Sequence, residues 1–221
     1  ELMRMASLDF IKNCSDAHLQ VTDECIESWQ TLIDSCITSK TTRIRELAVN
    51  ALASLCRGYY EKRENAEIVK NYLLNSNNDL EEHARSGYVL AIGALADFML
   101  LPLKDDILDK LIELSLVPKE AEVKAAGLNT IILNWSEARR DAVKALGSVT
   151  LTLGIQNITQ NDLRKVFECL LRALEEYTID NRGDIGAWVR EASMNVLHQL
   201  LKACPVDRVE ADIVHKVMSG L

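Results

Sequence analysis

One twelve-residue pattern recurs along this chain. Ile44-Arg45-Glu46, running through Asn50-Ala51-Leu52 to Leu55, aligns without a gap on Val189-Arg190-Glu191, running through Asn195-Val196-Leu197 to Leu200. Ala84-Arg85, leading to Ala91-Ile92 and Leu95, makes a third copy, and Val123-Lys124, leading to Leu128 and Ile131, a fainter fourth. The first residues of three copies, 44, 84 and 123, lie 40 and 39 positions apart. Self-similarity at such a period restricts the fold severely. A unit of that length holds two helices and cannot bury its apolar stripe alone, so neighbouring units must stack to form a core.

The stripes themselves are helical. In TDECIESWQTLIDSCI the apolar residues Cys25, Ile26, Trp29, Leu32, Ile33, Cys36 and Ile37 follow the i, i+3, i+4, i+7 rule, with Thr22 placed to cap the helix. With only 9 Gly and 3 Pro the chain has too few turn formers for many short strands. The expected fold is all-α: a HEAT- or armadillo-like solenoid of roughly five antiparallel helix pairs, without a sheet, forming one repeat domain over residues 1–221. In each copy the apolar member of the apolar-then-basic pair packs inward, while the cation reaches an acidic group in its own turn or in a neighbouring repeat. From 123 to 189 the interval is 66 residues, and LGSVTLTLGIQNITQ, residues 146–160, is expected to be an irregular connection, or an extra helix and a long loop. The chain lacks an initiator Met and ends in VHKVMSGL with no helix stop, so a piece of a longer protein is expected.

Charge narrows the partners. Asp and Glu number 33 against 25 Lys and Arg, a net charge of -8 with no basic block. Phosphate binding depends on clustered cations and counterion release, so nucleic acid and anionic membranes are demoted. No run of about 18 apolar residues is present, and ELMRMASLDF has neither the basic nor the apolar region of a signal peptide, so no membrane insertion is expected. The six cysteines occupy mostly apolar helix positions, as reduced cytosolic cysteines do. Asn-X-Ser/Thr sequons and the Arg182-Gly183-Asp184 triplet carry meaning only in an extracellular chain, and are set aside.

Local signatures of hydrolases, P-loops and dinucleotide folds are missing, and the four histidines are isolated, so the chain reads as a non-enzyme with no cofactor. Cys14 and His18, at i and i+4, would share a helix face and could hold zinc, but no second pair with ligand spacing follows, so no metal is expected. The carboxylate pairs Asp105-Asp106, Glu175-Glu176 and Glu81-Glu82 read as caps or solvated faces.

The densest local cluster is DNRGDIGAWVREASM, residues 180–194. It falls in the turn between a helix expected at 160–178 and the helix carrying Trp188. Gly183 permits a positive φ, and Asp184 can cap the next helix and meet its N-terminal dipole. Two readings stay open. In one, the stretch is a tight repeat corner that buries Ile185, Trp188, Val189 and Ala192, with Arg182 or Arg190 paired to Asp180 or Asp184. In the other it docks a partner, since exposed Trp and Arg are frequent interface anchors.

RGDIGAWVREASM resembles the RGD(V/I)GxWVREAAM segment of the tubulin-folding cofactor D family, with Asp184, Gly186, Trp188, Val189, Arg190 and Glu191 matching directly and Ile185 and Ser193 as mild variants. ELMRMASLDFI and WQTLIDSCITSKTTRIRELAVNALASLCRGYY are similar to parts of the C-terminal domain of that family, whose domain continues past residue 221. The resemblance implies a cytoplasmic, cytoskeleton-associated chaperone scaffold that captures β-tubulin. Such a scaffold works with cofactors E and C and an Arf-like small GTPase to assemble or dismantle the αβ-tubulin heterodimer, and the assembled complex, not the scaffold alone, stimulates GTP hydrolysis by tubulin. The site expectation is partner binding through Arg182, Asp184 and Arg190, with Gly183, Gly186, Trp188, Val189 and Glu191 as the structural part of the motif. A generic HEAT-repeat adaptor for another protein is the alternative reading.

Overall fold

The computed structural model describes residues 1–78, 80–125, 127 and 130–220. Two compact units, Glu1–Pro102 and Leu103–Leu221, divide the chain. Both are built from helix pairs, so the all-α, HEAT-like helical-repeat class read from the sequence is the observed one.

The first unit contains α1 (Leu2–Asp16), α2 (Asp23–Ile37), α3 (Thr42–Tyr59), α4 (Ala66–Asn75), α5 (Glu82–Gly93) and the short α6 (Asp97–Leu100). Thr22 starts α2 as expected, its hydroxyl accepting from the Cys25 N–H at 3.3 Å. The pairs α2/α3 and α4/α5 pack through Ile33, Ile37, Leu52, Leu55 and Ile92, all fully buried. Gly87 sets how close they come: a Cβ there would lie 1.7 Å from the Ile37 carbonyl oxygen, so only glycine allows α5 to meet the end of α2. One polar knot crosses this core. Gln30 donates to Asp34 and to the Tyr72 hydroxyl at 2.9 and 2.8 Å, and Tyr72 donates to Asp34 at 2.6 Å. Cys14 and His18 do not share a helix face, because α1 ends at Asp16 and His18 sits beyond it at φ 50°. Among the described residues no group of three or more His, Cys, Asp or Glu is placed to hold a metal ion.

The second unit contains α7 (Lys104–Leu114), α8 (Glu120–Ala125), α9 (Ser136–Leu153), α10 (Gln160–Ala173), α11 (Gly186–Ala203) and α12 (Ala211–Gly220). Its pairs are α7/α9 and α10/α11, which with α2/α3 and α4/α5 make four among the described residues, while α1 packs on α3 and α12 on α10. The expected fourth repeat copy is misplaced. Val123-Lys124 belongs to the short α8, and Leu128 lies outside the described residues. The long helix begins instead at Ser136, where Arg139, Ala142, Val143, Ala145, Leu146 and Ser148 repeat Arg45, Ala48, Val49, Ala51, Leu52 and Ser54 residue for residue.

The expected irregular connection over 146–160 is also corrected. Residues 146–153 are the last two turns of α9, and the turn itself is only Gly154 to Thr159. Gly147, which looks like a helix breaker, is a contact point: a Cβ there would meet Val196 Cγ1 of α11 at 2.5 Å. Thr150 stays helical by returning its hydroxyl to the Leu146 carbonyl at 2.7 Å. Two further differences concern the next turn. α10 stops at Ala173, not 178, and a two-residue antiparallel ladder, Ile179–Asp180 with Gly183–Asp184, stands where no sheet was expected. No single helix among the described residues is long and apolar enough to cross a membrane.

Candidate functional site

Each long second helix carries an arginine at its fourth or fifth position: Arg45 in α3, Arg85 in α5, Arg139 in α9 and Arg190 in α11. All four reach back to main-chain carbonyls of the turn that precedes them. Arg45 donates to Ser39 O at 2.8 Å, Arg85 to Asn78 O at 2.8 Å, Arg139 to Leu133 O at 3.1 Å and Arg190 to Glu176 O at 2.5 Å. Turn carbonyls at a helix end lack intrahelical donors, and a guanidinium supplies several in one fork. The cation of the repeat is therefore chiefly a turn clamp. It meets an acid in the second unit, where Arg139 pairs with Glu176 and Arg190 with Asp184.

The corner between α10 and α11 departs most from this plain clamp. Gly183, at φ 101°, closes the hairpin, and Asp184 accepts from the Ala187 N–H at 3.1 Å, capping α11 as its sequence position implies. Gly186 is required by proximity, since a Cβ would lie 2.5 Å from the Glu176 carbonyl oxygen. Arg182 binds Asp180 at 2.7 Å and also donates to the Asn134 carbonyl at 3.1 Å, tying the hairpin to the turn before α9. Arg190 binds Asp184 at 2.7 Å. The Arg182 guanidinium beside Asp180 and the Arg190 guanidinium beside Asp184 hold both carboxyls below the usual carboxylate range.

Aromatic rings complete the corner. The Arg190 guanidinium lies 4.4 Å from the centre of the Tyr177 ring, and that of Arg182 lies 5.5 Å from the Trp188 ring. Tyr177 and Ile179 are 69% and 72% exposed, so the surface is apolar as well as ionic. Ile185, Val189 and Ala192 are buried as expected. Trp188 is half-buried, between the core place of the repeat-corner reading and the exposed anchor of the docking reading, with the Arg182 guanidinium over its ring. Glu191 is exposed on α11.

Sequence reasoning missed Glu176 and Tyr177. Glu176 is neither a cap nor solvated: it is buried, accepting from Arg139 and from the Ser136 hydroxyl at 3.0 Å. The signal that could have found Glu176 is the Ala138-Arg139 copy of the repeat, which the fixed period placed near 123 instead.

Helix pairs with a clamping arginine at the start of each second helix define a HEAT-like helical-repeat protein. The chain is 28% identical, over 146 residues, to tubulin-specific chaperone D of Dictyostelium discoideum. The match covers 62% of this chain and 10% of that relative, so the chain spans about a tenth of the length of the protein it resembles. This similarity supports a relationship to the tubulin-specific chaperone D family. No family model matches the chain, and no solved structure matches it.

Proposed function

We propose that this chain is a binding scaffold of a tubulin chaperone, with no catalytic chemistry of its own. The observation that carries the reading is the 28% identity to tubulin-specific chaperone D. The helical-repeat fold supports it, since stacked helix pairs present broad surfaces suited to large protein partners. On this reading the partners are β-tubulin and the αβ heterodimer, with cofactors E and C and an Arf-like small GTPase completing a cytoplasmic assembly that joins or separates the heterodimer. Stimulation of GTP hydrolysis belongs to that assembly, so the isolated chain leaves hydrolysis by tubulin unchanged.

The α10–α11 corner is the proposed contact. A chain of net charge -8 gains nothing from bulk attraction to an acidic partner, so local chemistry must dominate. Arg182 and Asp184 are exposed, and surface ion pairs contribute only about 0–1 kcal/mol, so a partner can exchange into them at little cost. Tyr177 and Trp188 supply apolar faces already lined by guanidinium groups. Arg190 and Val189 hold the corner's shape from beneath.

Purified αβ-tubulin titrated against the chain, followed by sedimentation, tests the reading. Arg182→Ala should weaken association while leaving the melting temperature close to that of the unsubstituted chain. Absence of association with both αβ-tubulin and β-tubulin would overturn the scaffold reading. Unchanged affinity in a well-folded Arg182→Ala chain would move the contact away from the corner.

A further inference from the structure

The face shared by α9 and α11 carries a groove. Two clefts of about 440 and 290 Å³ run along it, and Leu151 lines both. Ala192 and Val196, 4% and 5% exposed, form an apolar floor with Leu151. Exposed Asn195 and Gln199 line one side. Among the described residues none that lines either cleft is acidic, although the chain holds 33 Asp and Glu.

Two cations mark the ends. Lys144 opens the larger cleft; the carboxylate within its reach, Asp141, is 3.8 Å away and is already held by Arg140 at 2.7 Å. Arg208 closes the smaller one, and its guanidinium is bound by uncharged acceptors, the Ile158 carbonyl at 2.7 Å and the Gln160 side chain at 3.1 Å. Its charge is therefore held in place without being neutralised. Along α9, Lys144 and Leu151 are seven positions apart, a helical rise of about 10 Å, or close to two turns.

We infer that this α9–α11 groove docks an acidic amphipathic helix of a partner protein, whose apolar side chains fill the floor at Leu151, Ala192 and Val196 while its carboxylates meet Lys144 and Arg208. The positive ends and the absence of acids select the charge of the occupant, and the apolar floor selects its pattern, as helix-in-groove recognition requires. This inference is independent of whether the partner is tubulin, and it uses none of the exposed residues of the α10–α11 corner, the buried Ala192 alone being common to the two.

The test uses the full chain and three fluorescein-labelled peptides of about fourteen residues, each roughly 21 Å long as a helix. The first places Leu and Glu on opposite-edged helical stripes. The second replaces every Glu by Lys, and the third keeps Glu but replaces every Leu by Ser. Anisotropy titrations should rank the first peptide at least about tenfold tighter than either control, with affinity falling as salt rises. Lys144→Glu combined with Asn195→Glu, both exposed positions, should weaken it about tenfold or more while circular dichroism melting shows an intact fold. Equal binding of the three peptides, no binding of the first, or unchanged affinity in the folded double variant would each overturn the inference. Because no tubulin is present, failure here leaves the scaffold reading standing, and failure with tubulin leaves this one standing.

Discussion

Arg139 and Glu176, 37 residues apart in sequence, form a buried ion pair in which Arg139 Nη2 donates to Glu176 Oε1 at 2.6 Å and the two side chains are only 4% and 3% exposed. Nε also donates to both carboxylate oxygens, at 3.1 and 3.0 Å, and the Glu176 main-chain oxygen receives Arg190. One residue thus joins the start of α9, the end of α10 and the corner before α11. Removing one partner of such a pair strands a buried charge, which costs about 3–5 kcal/mol. Glu176→Ala should show that loss in urea unfolding. Arg139→Met combined with Glu176→Leu should recover most of it, because an apolar pair of similar volume needs no counter-charge. A loss below about 1 kcal/mol for Glu176→Ala would contradict the pair's role.

Gly87→Ala should destabilise the first unit by at least about 1–3 kcal/mol, the usual cost of overpacking, because the new methyl would meet main chain rather than a movable side chain. Gly127→Ala is the control. Gly127 has φ 68° and nothing within 4 Å of a built Cβ, so only conformational strain of about 1 kcal/mol is expected. Thermal melts of the two variants separate close approach from backbone strain.

Two sets of carboxylates predict opposite pH effects. Burial raises the pKa of Asp34, outweighing the Tyr72 and Gln30 hydrogen bonds that lower it. The folded state then holds this proton more tightly than the unfolded one. Its contribution to stability is fully present below the usual carboxylate range and is lost as pH rises through the raised value. Asp180 and Asp184, held down by Arg182 and Arg190, contribute above the usual range and lose that contribution as pH falls through their lowered values. Asp34→Asn should flatten the fall in urea midpoint as pH rises from about 4 towards neutrality. An unaltered slope would show that Asp34 does not titrate abnormally.

Burial pushes the thiols of Cys56 and Cys169 up to about 12, so neither supplies thiolate at neutral pH. Cys25 is half-buried. Ellman's reagent under native conditions should modify Cys25 ahead of Cys56 and Cys169, which should react only at the rate of unfolding. Fast native labelling of Cys56, located by peptide mapping, would contradict its place in the core.

The helices were legible wherever an apolar stripe ran unbroken, as from Ile26 to Ile37, and the arginine repeat was legible at 45, 85 and 190. The copy at 139 was hidden because a fixed period placed it near 123. Gly147 and Thr150 resembled a loop, since nothing local says that Val196 will press on the bare Gly147 backbone. At the corner, the positive φ of Gly183, the cap by Asp184 and an Arg–Asp pairing followed from residue type and spacing, but not which arginine meets which aspartate. Glu176 and the half-exposed Trp188 did not, because both depend on partners brought in by the tertiary fold, Arg139 for one and the Arg182 guanidinium for the other.

The turn clamps explain why the repeat keeps no strict beat. Arginines 45, 85, 139 and 190 fall 40, 54 and 51 residues apart, yet the first three reach back only five to seven positions, and the fourth reaches 14 because a hairpin has been inserted in its turn. Register is measured backward from each second helix and not forward from the previous pair. Insertions can therefore accumulate in the turns, as at 177–184, without retuning any neighbour. That makes such turns the places where a chain of this kind can acquire new recognition surface while its core geometry stays the same.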